Sequence, residues 1–206
     1  MKNSHYYTEK HEIEDDFKEF EYIFLNTKFS FTTNSGVFSR KYIDFGSQNL
    51  LTELNELKLD GRILEVGCGY GAITIPLAYF KQHCKFDMID INEEAINLSK
   101  KNIQKNKIKN INVFKSDIYE NVDFTEYDCI YSNPPIRAGK KVTYQIYEKA
   151  YDHLKENGIF VIVIQKKQGA ESSITKLNEI FGNCEVLNKK KGYYILLSKK
   201  INFLEK

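Results

Sequence analysis

Gly67, Gly69 and Gly71 alternate along Glu65-Val66-Gly67-Cys68-Gly69-Tyr70-Gly71, and of the 206 residues these are best suited to hold a small molecule. Without Cβ atoms, the backbone there can take positive φ and approach a ligand closely. Ile63, Leu64 and Val66 lead into the turn as a short apolar run, the kind buried on both faces of a parallel sheet. The helix expected next, from about Ala72 to Gln82, points its free N–H groups at whatever lies over the turn. Counted as Gly67-x-Gly69-x-x-Ala72, the residues also satisfy a dinucleotide fingerprint, with Asp90 where a ribose-binding acid belongs.

Read instead as Glu65-x-Gly67-x-Gly69-x-Gly71, the stretch is similar to motif I of class I methyltransferases that use S-adenosylmethionine. An acid just before the first glycine suits a ligand with an amino group and a sulfonium, and it repels a pyrophosphate. On this reading Glu65, Gly67, Cys68, Gly69 and Gly71 hold the cofactor together with Asp90 and Ile91 after the second strand. Asp117, just past the third strand, could accept from an adenine amino group, and Ile118 offers the ring an apolar wall. A fourth strand, Tyr127–Ser132, delivers Asn133-Pro134-Pro135 to the same carboxyl edge, where open α/β sheets bind ligands.

The exocyclic amine of a nucleobase is a poor nucleophile because its lone pair is delocalised into the ring. Two acceptors placed on the amine hydrogens draw the nitrogen toward a tetrahedral shape, and the Asn133 side-chain oxygen and Pro134 carbonyl could supply them. Pro134 and Pro135 stiffen the loop that carries both. The chain here resembles the small-subunit ribosomal RNA guanine-N2 methyltransferases of the RsmC type, in a short form with only the catalytic domain. The resemblance runs through His5-Tyr6-Tyr7-Thr8, Gly36-Val37-Phe38-Ser39, Asp44-Phe45-Gly46-Ser47, Glu65–Gly69, Asn133–Lys140 and Gln165–Ala170. It implies Asn133, Pro134 and Pro135 as catalytic residues, with Asn133 also touching the cofactor. Ile136 stands where such enzymes often carry an aromatic that stacks on a flipped base, leaving Phe38 as a candidate for that role. Arg137, Lys140, Lys141, Lys166 and Lys167 ring the same mouth and suit a phosphate backbone, whereas Lys189-Lys190-Lys191 reads as a solvated turn.

The elements that must position these residues follow from the patterning. Residues 1–48 form an extension rich in aromatics, with strand-like alternation over Glu21–Thr32, a turn at Asn34-Ser35-Gly36, and a small antiparallel element packed on the edge or top of the main sheet. Within it, the loop Gly36–Ser47 either fixes the following helix, through Phe38 and Asp44, or closes over cofactor and target. Residues 49–206 form the Rossmann-like core of a single domain, starting from an amphipathic helix over Gln48–Leu57. Five βα units and a closing antiparallel hairpin, Cys184–Leu187 with Tyr193–Ser198, complete an α/β seven-stranded, mostly parallel class I methyltransferase fold.

Composition narrows the function. A net charge of +2 does not by itself announce a nucleic-acid partner, and no apolar run approaches the ~20 residues of a bilayer span. The polar start is not a signal peptide, so the chain is expected in the cytoplasm. Four cysteines and four histidines, widely spaced, suggest buried free thiols and no metal. The expected partner is ribosomal RNA or the small ribosomal subunit, without a membrane. Methylation of adenine N6 or of a protein glutamine stays open, as do a non-catalytic RNA-binding module and a nicotinamide oxidoreductase, for which the chain has little room.

Overall fold

The computed structural model describes residues 17–37 and 41–201. Seven strands form one sheet: β3 (Arg62–Val66), β4 (Lys85–Asp90), β5 (Ile111–Lys115), β6 (Tyr127–Ser132), β7 (Leu154–Gln165), β8 (Glu185–Lys190) and β9 (Tyr193–Lys199). Their order is β5-β4-β3-β6-β7-β9-β8, parallel from β5 to β7, with β9 antiparallel to both β7 and β8. The order reverses between β3 and β6, which opens a crevice at their carboxyl ends. The seven-stranded Rossmann-like expectation is met.

Helices cover both faces. Leu50, Leu51 and Leu54 of α1 (Phe45–Glu56) and Leu77 of α2 (Thr74–Phe80) share a core with Ile63, Tyr131, Val161 and Val163. On the other face Tyr147 of α4 (Lys140–His153) and Leu177 and Phe181 of α5 (Ala170–Phe181) pack on Leu64, Ile130, Phe160 and Ile162. Successive β7 residues thus enter opposite cores, which is why that strand is apolar without alternation. α3 (Glu93–Lys105) is capped by Asn92, whose side chain accepts from Glu94 N, and β6 has the bounds expected for the fourth strand.

Several elements depart from expectation. The third crossover, from Lys115 to Tyr127, contains no helix; its turns are pinned to the core by buried Tyr119 and Val122. The strand-like stretch Glu21–Thr32 folds as the expected small antiparallel element, a hairpin of β1 (Lys18–Phe24) and β2 (Thr27–Thr33) that turns at Leu25 and Asn26 with φ of 45° and 60°. An apolar Leu25 masks that turn in the sequence. The hairpin lies over helices rather than on the sheet edge: Phe24 meets Phe80 and Phe29 meets Tyr79 edge-on, at 5.8 and 5.5 Å. α1 starts at Phe45, three residues before the expected Gln48, because Asp44 accepts from Ser47 N at 3.1 Å and caps it.

Candidate functional site

Register assembles the site. Val66 pairs with both Ile89 and Ser132, and Asp90 pairs with Lys115, so Gly67, Ile91, Ser116 and Asn133 leave the sheet side by side at strand spacings of about 4.8 Å. Ser132 Oγ donates to Val66 O at 2.7 Å and Ser116 N to Asp90 O at 3.0 Å, tying these exits together.

The glycine turn is open. Gly67 and Gly69 have φ of 77° and 56°, and a Cβ built on either meets nothing within 4 Å. Packing does not demand glycine there; backbone conformation and room for a ligand do. The turn's amides are already used: Gly67 N and Cys68 N donate to Ile89 O, Gly69 N to Asp90 Oδ2 at 2.9 Å, and Gly71 N to Cys68 O. A pyrophosphate would find none of these four N–H groups free, which weighs against a dinucleotide. Asp90 also takes Asn92 N at 2.9 Å, and with one bond on each oxygen it keeps lone pairs for further donors.

Other predicted cofactor residues sit differently. Glu65 is only 2 % exposed and hydrogen-bonded to the Thr74 hydroxyl, which lies 2.6 Å from Tyr131 OH. Burial pushes the Glu65 carboxyl up to about 8, the Asp90 charge adding to it and the Thr74 hydroxyl and amide opposing. The Cys68 thiol is buried with Met88 and Ile96, so only its backbone lines the turn. Ile91 is 59 % exposed at the rim, Asp117 is exposed beside it, and Ile118 takes φ of 51° and packs on the second core. Ser99 Oγ donates to Gly69 O at 2.8 Å and Asn102 Nδ2 to Tyr70 O at 3.0 Å, so one face of α3 braces the turn. Sequence reasoning missed both residues, since a polar side chain on a helix shows no partner until the fold supplies one.

Asn133 is held by a short relay. Its Nδ2 donates to Ser47 Oγ at 3.0 Å, and Ser47 Oγ donates to Asp44 Oδ2 at 2.7 Å. A carboxylate only accepts, so the single Ser47 proton goes to Asp44, and Ser47 can only accept from Asn133. The amide of Asn133 therefore has one orientation, with Oδ1 left for another donor. Of the two readings of the Gly36–Ser47 loop, the helix cap at Asp44 is met; Phe38 lies outside the described residues.

Beyond Asn133, Pro134 is buried and Pro135 exposed, and Ile136 is half-buried against the second core. Exposed Arg137 lies in a 3-10 turn, and exposed Lys166 and Lys167 in another. Lys140 and Lys141 are exposed in the first turn of α4 rather than on a loop. At the opposite edge the fold gathers Asp60, His83 and Cys84, with ligand atoms within 4.8 Å of one another, a grouping their spacing does not reveal. His83 and Cys84 both bond the Leu59 carbonyl there, away from the glycine turn.

This strand order, with an open glycine turn next to an Asn-Pro-Pro loop, defines a Rossmann-like methyltransferase. The family model of the methyltransferase small domain matches residues 28–197. The chain belongs to the methyltransferase small domain family. It is 46% identical over 200 residues to the uncharacterized protein YbxB of Bacillus subtilis, covering 97% of this chain and 100% of that one. It is 33% identical over 191 residues to ribosomal RNA small subunit methyltransferase C of Aliivibrio fischeri, covering 91% of this chain and 54% of that one. Among solved structures, the T. thermophilus 16S rRNA N2 G1207 methyltransferase RsmC, in complex with AdoMet and guanosine, superposes with a TM-score of 0.80 at 26% identity. That match covers 89% of this chain and 50% of the other, so this chain spans about half the length of its RsmC relatives. Among the described residues, no helix is long and apolar enough to cross a membrane.

Proposed function

We propose that this chain, acting as a single domain in the cytoplasm, methylates the exocyclic N2 amine of a guanine in small-subunit ribosomal RNA. It is a methyltransferase whose cofactor is S-adenosylmethionine, and the open turn at Gly67 and Gly69 with Asp90 beside it fits that group. When bound, the cofactor supplies an electrophilic methyl and departs as a neutral thioether. The observation that carries the reading is the fixed polarity of Asn133, one strand away from the glycine turn.

The residues of the chain do the rest. Asn133 Oδ1 and the Pro134 carbonyl accept the two amine hydrogens and hold the nitrogen with its lone pair free. Burial of Pro134 and the Ser47 bond keep both acceptors in place before substrate arrives, so rate comes from positioning and preorganised dipoles. The nitrogen turns acidic only once alkylated and then gives its proton to solvent, so no strong base is needed. Asp90 is suited to the ribose hydroxyls, Asp117 and Ile118 to the adenine, and buried Glu65 to the ammonium end. The guanine assignment draws support from the RsmC relatives, of which the T. thermophilus enzyme is described as an N2 G1207 methyltransferase.

The test is to give the purified protein labelled S-adenosylmethionine with bulk ribosomal RNA, adenine oligonucleotides or protein, and to identify the product by mass spectrometry. N2-methylguanosine from the small-subunit RNA is expected. Label in N6-methyladenosine or methylglutamine would replace the target, and no transfer alongside intact RNA binding would make the chain a binding module.

A further inference from the structure

We propose that the end of β8 and the turn after it, Lys189-Lys190-Lys191-Gly192, form a phosphate-binding arm that holds the RNA strand flanking the target nucleotide. This rests on the RNA reading above and extends it to a surface that sequence patterning assigns to solvent.

Three observations bring the turn to the site. β9 runs antiparallel to β7 with Tyr193 opposite Gln165, so the turn sits at the carboxyl edge, and Lys166 N donates to Gly192 O at 2.8 Å. Lys191 Nζ lies 4.8 Å from the ring centre of Phe45, which starts α1 two residues before Ser47, the partner of Asn133. The turn is tight, with φ of 49° at Lys191 and 78° at Gly192, the double positive φ of a two-residue hairpin. The backbone that carries these charges is thus a fixed hairpin end rather than a loose loop, with Lys189 Nζ 4.7 Å from the ring centre of Tyr194.

Charge carried by the strand ends along this edge is segregated, while α1 brings Asp44 and Glu53 against the second half, through Ser47 and Asn188. Asp90, Glu93, Glu94 and Asp117 lie at the ends of β4 and β5, the half with the glycine turn. The ends of β6, β7, β9 and β8 carry Arg137, Lys140, Lys141, Lys166, Lys167 and Lys189–Lys191, without an acid in 133–142, 165–169 or 188–193. Among the described residues none of these eight cations forms an ion pair, as is also true of Lys58, Lys85 and Lys109 at the opposite edge, so it is the clustering of the eight that sets them apart. In a chain of net charge +2 this is concentration, not overall basicity. Lys140 and Lys141 even occupy the positive end of the α4 dipole, an unfavourable placement that an anion would relieve. The band crosses three strand spacings, roughly 14 Å, more than one nucleotide needs. A target base drawn out of its stack leaves neighbouring phosphates on either side, and these match the band.

The experiment measures binding of a ribosomal RNA fragment across a salt series for wild type and for a triple variant, Lys189→Gln with Lys190→Gln and Lys191→Gln. A matched control changes Lys58, Lys85 and Lys109, exposed at the opposite edge, to Gln. The turn variant should bind about tenfold or more weakly, and the slope of log affinity against log salt should shrink by about 2, as expected for three lost single-strand phosphate contacts. Cofactor affinity, read in parallel, should stay at the wild-type value and report intact folding. Unaltered affinity and slope in the turn variant, or an equal loss in the control, overturns the proposal. Wild-type protein that binds no RNA fails the functional reading itself and takes this one with it.

Discussion

Asn133 can offer a substrate its oxygen only while its NH₂ is engaged elsewhere, and Ser47 engages it because Asp44 takes the serine proton. Two substitutions separate this from packing. Asn133→Ala should leave cofactor affinity near normal and lower turnover by about 10²-fold or more, the scale of one preorganised polar contact. Asp44→Asn keeps a side-chain oxygen for the α1 cap, where asparagine serves as well as aspartate, so melting temperature should hold. Its new NH₂ can donate to Ser47, freeing the serine proton for Asn133 Oδ1 and blocking the acceptor that the proposed reaction uses. Turnover at saturating cofactor should then fall at least tenfold, by the net worth of about one hydrogen bond. A variant with lowered stability and unchanged turnover would reduce Asp44 to its capping role.

At the scale of elements, Asn102 joins three pieces that have no covalent proximity. Its Oδ1 accepts from Thr32 N at 2.7 Å, and its Nδ2 donates to Thr32 O and Tyr70 O, each at 3.0 Å. The hairpin, α3 and the glycine turn therefore share one buried amide. Asn102→Ala strands those backbone groups, at about 1–3 kcal/mol for each one left unsatisfied. Urea unfolding should show a loss of about 2 kcal/mol or more, with weakened cofactor binding as the turn loosens. Stability within 0.5 kcal/mol or so of wild type would mean that water replaces the amide.

At the scale of the whole molecule, Glu65 links stability to pH. Its carboxyl, at about 8 in the folded protein against 4.5 ordinarily, binds a proton more tightly folded than unfolded. Its contribution is therefore complete below the unfolded value and fades as pH rises through about 8, a loss of a few kcal/mol on the scale of ~1.4 kcal/mol per unit. Glu65→Gln can keep a bond to Thr74 without the ionisation, so the unfolding midpoint of the ligand-free variant should fall less than that of wild type between pH 5 and 8. Parallel curves for the two proteins would show that Glu65 does not carry this linkage.

Local chemistry made much of this protein legible in one dimension. β4, α3 and β6 have the bounds their apolar runs and the Asn92 cap dictate, and three glycines at alternate positions mark the turn after β3 whatever surrounds them. Pairings between distant residues were not legible, because nothing local encodes the partner of a polar side chain. Ser47 is 86 residues from Asn133, Asn102 is 70 from Thr32, and Lys166 meets Gly192 only because β9 returns antiparallel along β7. The sequence by itself determined that an alternating-glycine turn and an Asn-Pro-Pro loop follow two of the strands. Tertiary structure alone decided which way Asn133 faces, which helix braces the glycines, and which lysines share an edge with the site, since register and crossover, rather than residue type, set those distances.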